Sequence, residues 1–143
     1  MVKKQYLIDT GLFIKYFRAD RRAIKLLDNA LLSQAISVFT ITELLIGCKT
    51  EQEIHNTKEI LQQYTLLQVT PVIAETTANI IKCNPDYFGK MMNRGVVDAF
   101  IAATAIEHRL TLVTLNRKHF EKLKLPGFNC VILRESEKNW HLI

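Results

Sequence analysis

Asp9, Glu43, Asp98 and Asn116 are the residues of this 143-residue chain whose types and placing point to chemistry. Each stands where a short apolar run gives way to a helix-like pattern, and three of the four carry carboxylates. If those runs are neighbouring strands of one parallel sheet, their exits share a rim, which is where ligands of open α/β sheets bind. Carboxylates gathered at one point repel one another, and a divalent cation removes that penalty. Mg²⁺ takes oxygen ligands and keeps several waters, and a bound water of lowered pKa can attack a phosphodiester. The set therefore suits metal-assisted phosphodiester hydrolysis. Asp9, Glu43 and Asp98 are the candidate metal ligands, and Asn116 is the fourth candidate catalytic position.

Each residue also has a purely structural reading. Asp9, in Leu7-Ile8-Asp9-Thr10-Gly11, can cap the helix that follows. Glu43 stands three residues after Thr40, which is capping-box spacing. Asn116 follows Thr114-Leu115 and is equally suited to cap a helix or to accept through its carbonyl. Asp98 is the hardest to explain structurally. Ile101, Ala102 and Ala105 follow it at three, four and seven residues, which marks an inward, close-packed face. A carboxylate on such a face must be paired or bind a metal.

The elements that must position these groups alternate in type, which argues an α/β fold. Residues 5–9, 35–39, 66–69, 110–114 and 130–133 read as strands. Residues 12–16, 23–32, 42–48, 51–64 and 96–109 read as helices. Thr70-Pro71 pairs a cap with Pro at the first helical position and opens a further helix to about residue 82. Asn84-Pro85-Asp86 reads as a break and Pro126-Gly127 as a turn. Trp140 and Leu142 suggest that the tail, residues 134–143, packs on the body.

Bulk properties narrow the classes. The length fits one domain over residues 1–143, and 48% hydrophobic with 23% charged residues is ordinary for a globular protein. The net charge of +5 favours an anionic partner, with nucleic acid first. No apolar run approaches a membrane span of about 20 residues, and the N-terminal apolar stretch stops at Asp9, unlike a signal peptide. Cys48, Cys83 and Cys130 are odd in number and widely spaced, which points to reduced thiols and a cytoplasmic location. His55, His108, His119 and His141 lack metal-ligand spacing, so zinc is not expected. No phosphate-binding glycine loop or serine-nucleophile motif is present. Asp9-Thr10-Gly11 matches the triplet of retroviral-type aspartic proteases, but the helical periodicity and the further acidic motifs argue against that fold.

Two basic clusters, Lys15, Arg18, Arg21, Arg22 and Lys25, and Arg117, Lys118, Lys122 and Lys124, are either solvated surface or phosphate contacts. Thr10, Thr114, Arg117, Lys118 and Arg94 are assigned to substrate contact. Lys90 and Arg94 lie in a glycine-flanked segment before Asp98. Met91 and Met92 suit a helix-packing or dimer contact.

The motifs resemble those of PIN-domain nucleases, and within them the VapC-type toxins of prokaryotic toxin–antitoxin pairs. Leu7-Ile8-Asp9-Thr10-Gly11-Leu12-Phe13-Ile14 is similar to the first Asp motif, with Gly11 where Asn is frequent. The run from Val38 to Gly47 is similar to the Glu motif, and Val97-Asp98-Ala99-Phe100-Ile101-Ala102-Ala103-Thr104-Ala105 resembles the third motif closely. Leu112 to Phe120 matches the fourth, where Asn116 occupies a position that is often Asp in PIN domains and often Asn in VapC-like members. The resemblance covers the chain to roughly Leu133. It implies a three-layer α/β/α sandwich around a parallel sheet and Mg²⁺- or Mn²⁺-dependent cleavage of single-stranded RNA. It also implies a homodimer and a cognate antitoxin that masks the site. The competing expectation is a non-catalytic RNA-binding or protein-interaction module on the same fold, toward which Asn116 leans.

Overall fold

The computed structural model describes residues 4–29, 32–88, 95–123 and 125–142. Five strands run β1 (Gln5–Ile8), β2 (Ser33–Ser37), β3 (Thr65–Leu67), β4 (Thr111–Thr114) and β5 (Asn129–Ile132). Between them lie α1 (Thr10–Phe17), α2 (Arg21–Leu27), α3 (Val38–Ile46), α4 (Glu51–Leu61), α5 (Pro71–Cys83), α6 (Pro85–Phe88), α7 (Val96–Glu107) and α8 (Arg117–Phe120). The strands form one parallel sheet in the order β3-β2-β1-β4-β5. The chain winds outward from β1 through β2 to β3 and then restarts at β4 on the other side of β1. The switch point therefore falls between β1 and β4, and a crevice opens at their carboxyl ends.

Alternation along each strand builds the three layers. Leu7, Ala35 and Leu112 face one way and pack with Ile73 and Ile80 of α5 and with Ala99 and Ala102 of α7. Tyr6, Ile8, Ile36 and Val113 face the other way, onto Leu12, Phe13, Ala23, Leu26 and Leu44 of α1, α2 and α3. Helix α7 is covered all round, with Ala99, Ile101, Ala102, Ala103, Thr104 and Ala105 buried. Its run of small side chains lets it lie close to α5.

Several boundaries differ from the sequence reading: the helix read over 23–32 closes at Leu27 and that over 51–64 at Leu61, and two further differences have plain physical reasons. Val38 and Phe39 favour strand by type, yet Ser37 accepts the Phe39 N–H at 3.2 Å and starts α3 at Val38. Thr40 is thus inside the helix, and the Thr40–Glu43 capping box is not formed. The break at Asn84 is real but short. Asn84 returns its side-chain N–H to the Ile80 carbonyl at 2.9 Å, and Pro85 then opens the single turn of α6. The Thr70 cap forms as expected, accepting the Ile73 N–H at 3.2 Å.

The tail packs on the body through Arg22. Its guanidinium lies 4.0 Å from the centroid of Trp140, which is 4% exposed, and donates to the carbonyls of Glu135 and Glu137 at 2.8 Å. Asp20 orients it at 2.8 Å and is held at a pKa of about 2 chiefly by that hydrogen bond. Arg22→Ala is expected to free the tail, seen as a red shift of Trp140 emission and faster proteolysis beyond residue 133. The pH dependence follows from the depressed Asp20 value. Its stabilisation is complete above the ordinary carboxylate pKa of 3.8 and is lost as pH falls toward about 2. In the wild type the red shift should therefore appear over that acid range.

Candidate active site at the carboxyl ends of β1 and β4

Asp9 leaves β1 as the N-cap of α1, and Thr10 donates its N–H to Asp9 Oδ1 at 2.9 Å. The capping reading is thus realised, but it uses one oxygen only. Thr114, at the end of β4 and fully buried, donates its hydroxyl to Asp9 Oδ2 at 2.6 Å. A carboxylate has about four lone-pair positions, so two remain for another partner. Asp9 is 5% exposed, and burial pushes its pKa up against the pull of Thr114, the Thr10 N–H and His119.

Glu43 reaches the same place from α3. The Thr10 hydroxyl donates to Glu43 Oε1 at 2.8 Å and lies 3.2 Å from the hydroxyl of Thr40. Thr10 has one hydroxyl proton, so Thr40 supplies the proton between the two threonines. Thr10 therefore joins Asp9 through its backbone and Glu43 through its side chain.

Asp98 enters from the first turn of α7, where the helix dipole favours a carboxylate. Burial pushes its pKa up. His119 pulls it down, while the Asp9 and Glu43 carboxylates add to the rise. Asp9 and Glu43 thus lie near enough for their charges to bear on Asp98. Gly95 starts α7 at φ +75°, and a Cβ there would lie 2.9 Å from the Tyr87 ring, so both conformation and space require glycine.

Asn116 occupies the N-cap position of α8 but makes no side-chain cap, and its exposed amide stays available at the crevice. Its backbone N–H donates to Thr114 Oγ1 at 3.0 Å, which aligns the hydroxyl that holds Asp9. Thr10 and Thr114, expected to touch substrate, stand behind the carboxylates as their holders. Arg117 pairs with Glu121 at 2.8 Å, and Lys118 is exposed. Arg94, Lys90, Met91, Met92 and Lys124 lie outside the described residues. In the first basic cluster, Lys15 and Arg22 are engaged by Glu135 at 2.8 and 3.2 Å and serve the tail.

Sequence reasoning missed His119, Tyr87 and Thr40. His119 Nδ1 lies 2.8 Å from Asp98 Oδ2. Tyr87 lies beside Asp98, and its phenol is pushed up to about 12 by burial and then by that carboxylate. The one sequence signal for His119 was its place three residues after Asn116, in the same single turn.

The donor chemistry fits a hard divalent cation: three carboxylates, all oxygen, beside an exposed amide. Among the described residues, no three His, Cys, Asp or Glu side chains converge closely enough to cage an ion unaided. Water must complete the shell, as Mg²⁺ prefers.

Known proteins resemble this chain in sequence and in fold. The PIN domain model matches residues 6–125. Ribonuclease VapC1 of Methanocaldococcus jannaschii is 30% identical over 132 residues, covering 87% of this chain and 85% of that protein. A chain of a toxin–antitoxin complex from Klebsiella pneumoniae is 31% identical at a TM-score of 0.70, covering 89% of this chain and 96% of that one. DNA-bound VapBC from Salmonella typhimurium, 21% identical at a TM-score of 0.73 over 90% of this chain and 98% of that chain, adds agreement in fold alone. With the four motifs at one sheet rim and the match spanning most of its length, the chain belongs to the PIN-domain family, among its VapC-type members.

Proposed function

We propose that this chain is a metal-dependent endoribonuclease and the toxin of a toxin–antitoxin pair. The observation that carries this reading is the pairing of Asp9 and Glu43 through Thr10 at the β1/β4 crevice, with Thr114 holding Asp9 and with Asp98 close enough to feel both carboxylates. The relative named a ribonuclease supports the activity, and the toxin–antitoxin complex from Klebsiella pneumoniae supports the partner. A groove of about 640 Å³ beginning at Glu43 is lined by Ile14, Phe17, Arg18 and Leu44, with Ile14 and Phe17 each 40% exposed. A partly apolar groove with Glu43 in its lining suits an antitoxin segment that covers that carboxylate. A homodimer and a cytoplasmic location belong to the same reading. No helix among the described residues is long and apolar enough to cross a membrane.

Asp9, Asp98 and Glu43 would hold Mg²⁺ or Mn²⁺. Such an ion supplies a water of lowered pKa and offsets charge on the phosphate. Asp9 is the fixed member, with both oxygens already oriented. Glu43 is solvent-facing and set by Thr10, so it can meet an incoming water. Asn116 presents donor and acceptor atoms at the rim, suited to orienting water or a phosphate oxygen. Arg117 and Lys118, on the adjacent turn, offer positive charge to the RNA backbone, and Arg94 belongs to the same proposed substrate set.

Purified protein free of antitoxin should cleave single-stranded RNA with Mg²⁺ or Mn²⁺, and EDTA should abolish cleavage until metal is restored. Metal-independent binding without cleavage by folded wild type would replace this reading with that of a binding module.

A further inference from the structure

Each carboxylate of the site needs a holder, because three like charges at one rim push their side chains apart. Thr114 holds Asp9 and Thr10 holds Glu43. No strand or α1 hydroxyl bonds Asp98 among the described contacts. His119 and Tyr87 close on it instead. His119 Nδ1 is 2.8 Å from Oδ2, and that nitrogen is shut off from solvent although the ring is nearly half exposed. The approach is short, although it does not meet the geometry of a well-directed hydrogen bond. Tyr87 comes from α6, and the missing Cβ of Gly95 makes room for its ring. Of the ionisable neighbours of Asp98, His119 favours the ionised form, whereas Asp9 and Glu43 oppose it.

We propose that His119, seconded by Tyr87, is a positioning residue that fixes the Asp98 carboxylate for divalent-cation binding at the β1/β4 crevice. The proposal rests on the metal-dependent reading above. Groups that orient a ligand from behind matter nearly as much as the ligand, and their loss weakens metal affinity by about 10–100-fold. A competing physical effect has the opposite sign. Simple removal of a basic neighbour leaves a more negative site, which would tighten cation binding. Weakening therefore identifies positioning and not field.

The test is Mn²⁺ affinity of the full chain, from the electron paramagnetic resonance of free Mn²⁺, for wild type, His119→Ala, His119→Asn and Tyr87→Phe. Thermal unfolding of each variant serves as the fold control. The expected result is a Kd weakened about 10–100-fold in His119→Ala and less in Tyr87→Phe. His119→Asn, whose amide nitrogen can stand near the place of Nδ1, should recover most of the loss. Unchanged or tighter Mn²⁺ binding by folded His119→Ala would overturn the proposal while leaving the metal-dependent reading intact. Equal loss in His119→Asn would overturn positioning through Nδ1. A wild type that binds no Mn²⁺ would overturn the metal-dependent reading, and this proposal with it.

Discussion

Asp98→Asn is expected to lower RNA cleavage by about a thousandfold or more while raising the thermal stability of the metal-free protein. The activity loss follows from removing one of three charged donors, which forfeits about 4 kcal/mol of stabilisation around the reacting phosphate. The stability gain follows from the raised pKa of Asp98. Burial and the Asp9 and Glu43 carboxylates penalise its ionised form more than His119 favours it. An acid whose folded pKa is raised adds stability below its unfolded value and loses it as pH rises through the folded value. At neutral pH the wild type therefore carries the penalty and the Asn variant does not. Each kcal/mol relieved would lift Tm by about 2–4 °C in a chain of this size. The difference between the two proteins should shrink as pH falls through the raised folded value of Asp98 and level off below the ordinary carboxylate range. Calorimetry in EDTA at several pH values, beside cleavage assays with Mg²⁺, reads both effects. Full cleavage by Asp98→Asn would remove Asp98 from the mechanism. A large fall in Tm would recast it as a structural residue.

That opposition of effects explains why Asp98 was legible in the sequence. Its neighbours at helical spacing are all destined for burial, so a charge among them has no structural explanation. Glu43 was harder to place, because its spacing from Thr40 imitates a capping box. The true cap, Ser37, precedes two residues that favour strand by type, so the helix start was hidden by a local preference that tertiary packing overrides. Strand number and alternation were visible because they are local. The order β3-β2-β1-β4-β5 was not, and neither was any contact that depends on it. Thr10 meets Glu43 across 33 residues and Thr114 meets Asp9 across 105, and no periodicity records such distances. For the same reason Thr10 and Thr114 read as substrate contacts and not as holders, and His119 read only as a histidine without metal-ligand spacing. The carboxylates declare themselves by being out of place, whereas the groups that hold them are ordinary residues until the sheet is closed.

Thr114→Val tests that hidden layer and should change stability in the opposite direction from Asp98→Asn. Valine fills nearly the same volume, so packing around this fully buried position is kept and the hydroxyl alone is lost. The lost bond is short and charge-assisted, at 2.6 Å to Asp9 Oδ2. Bonds to a charged group are worth about 1.5–3 kcal/mol, and the variant leaves that oxygen buried with no donor. Asp9 already has a raised pKa from burial, and Thr114 is the largest influence holding it down, so its removal drives the value further up. Two consequences follow. The protein loses stability, and Asp9 becomes a weaker cation ligand because its charged form is less favoured. Cleavage should fall by about 10–100-fold, with part of the loss recovered by more Mn²⁺ or by higher pH, and the acid limb of the pH–rate profile should shift to higher pH. Thr114→Ser keeps the donor and should behave nearly as wild type. If valine were as active and as stable as serine, the β4 hydroxyl would not be what holds Asp9, and its orientation would have to come from the Thr10 N–H alone.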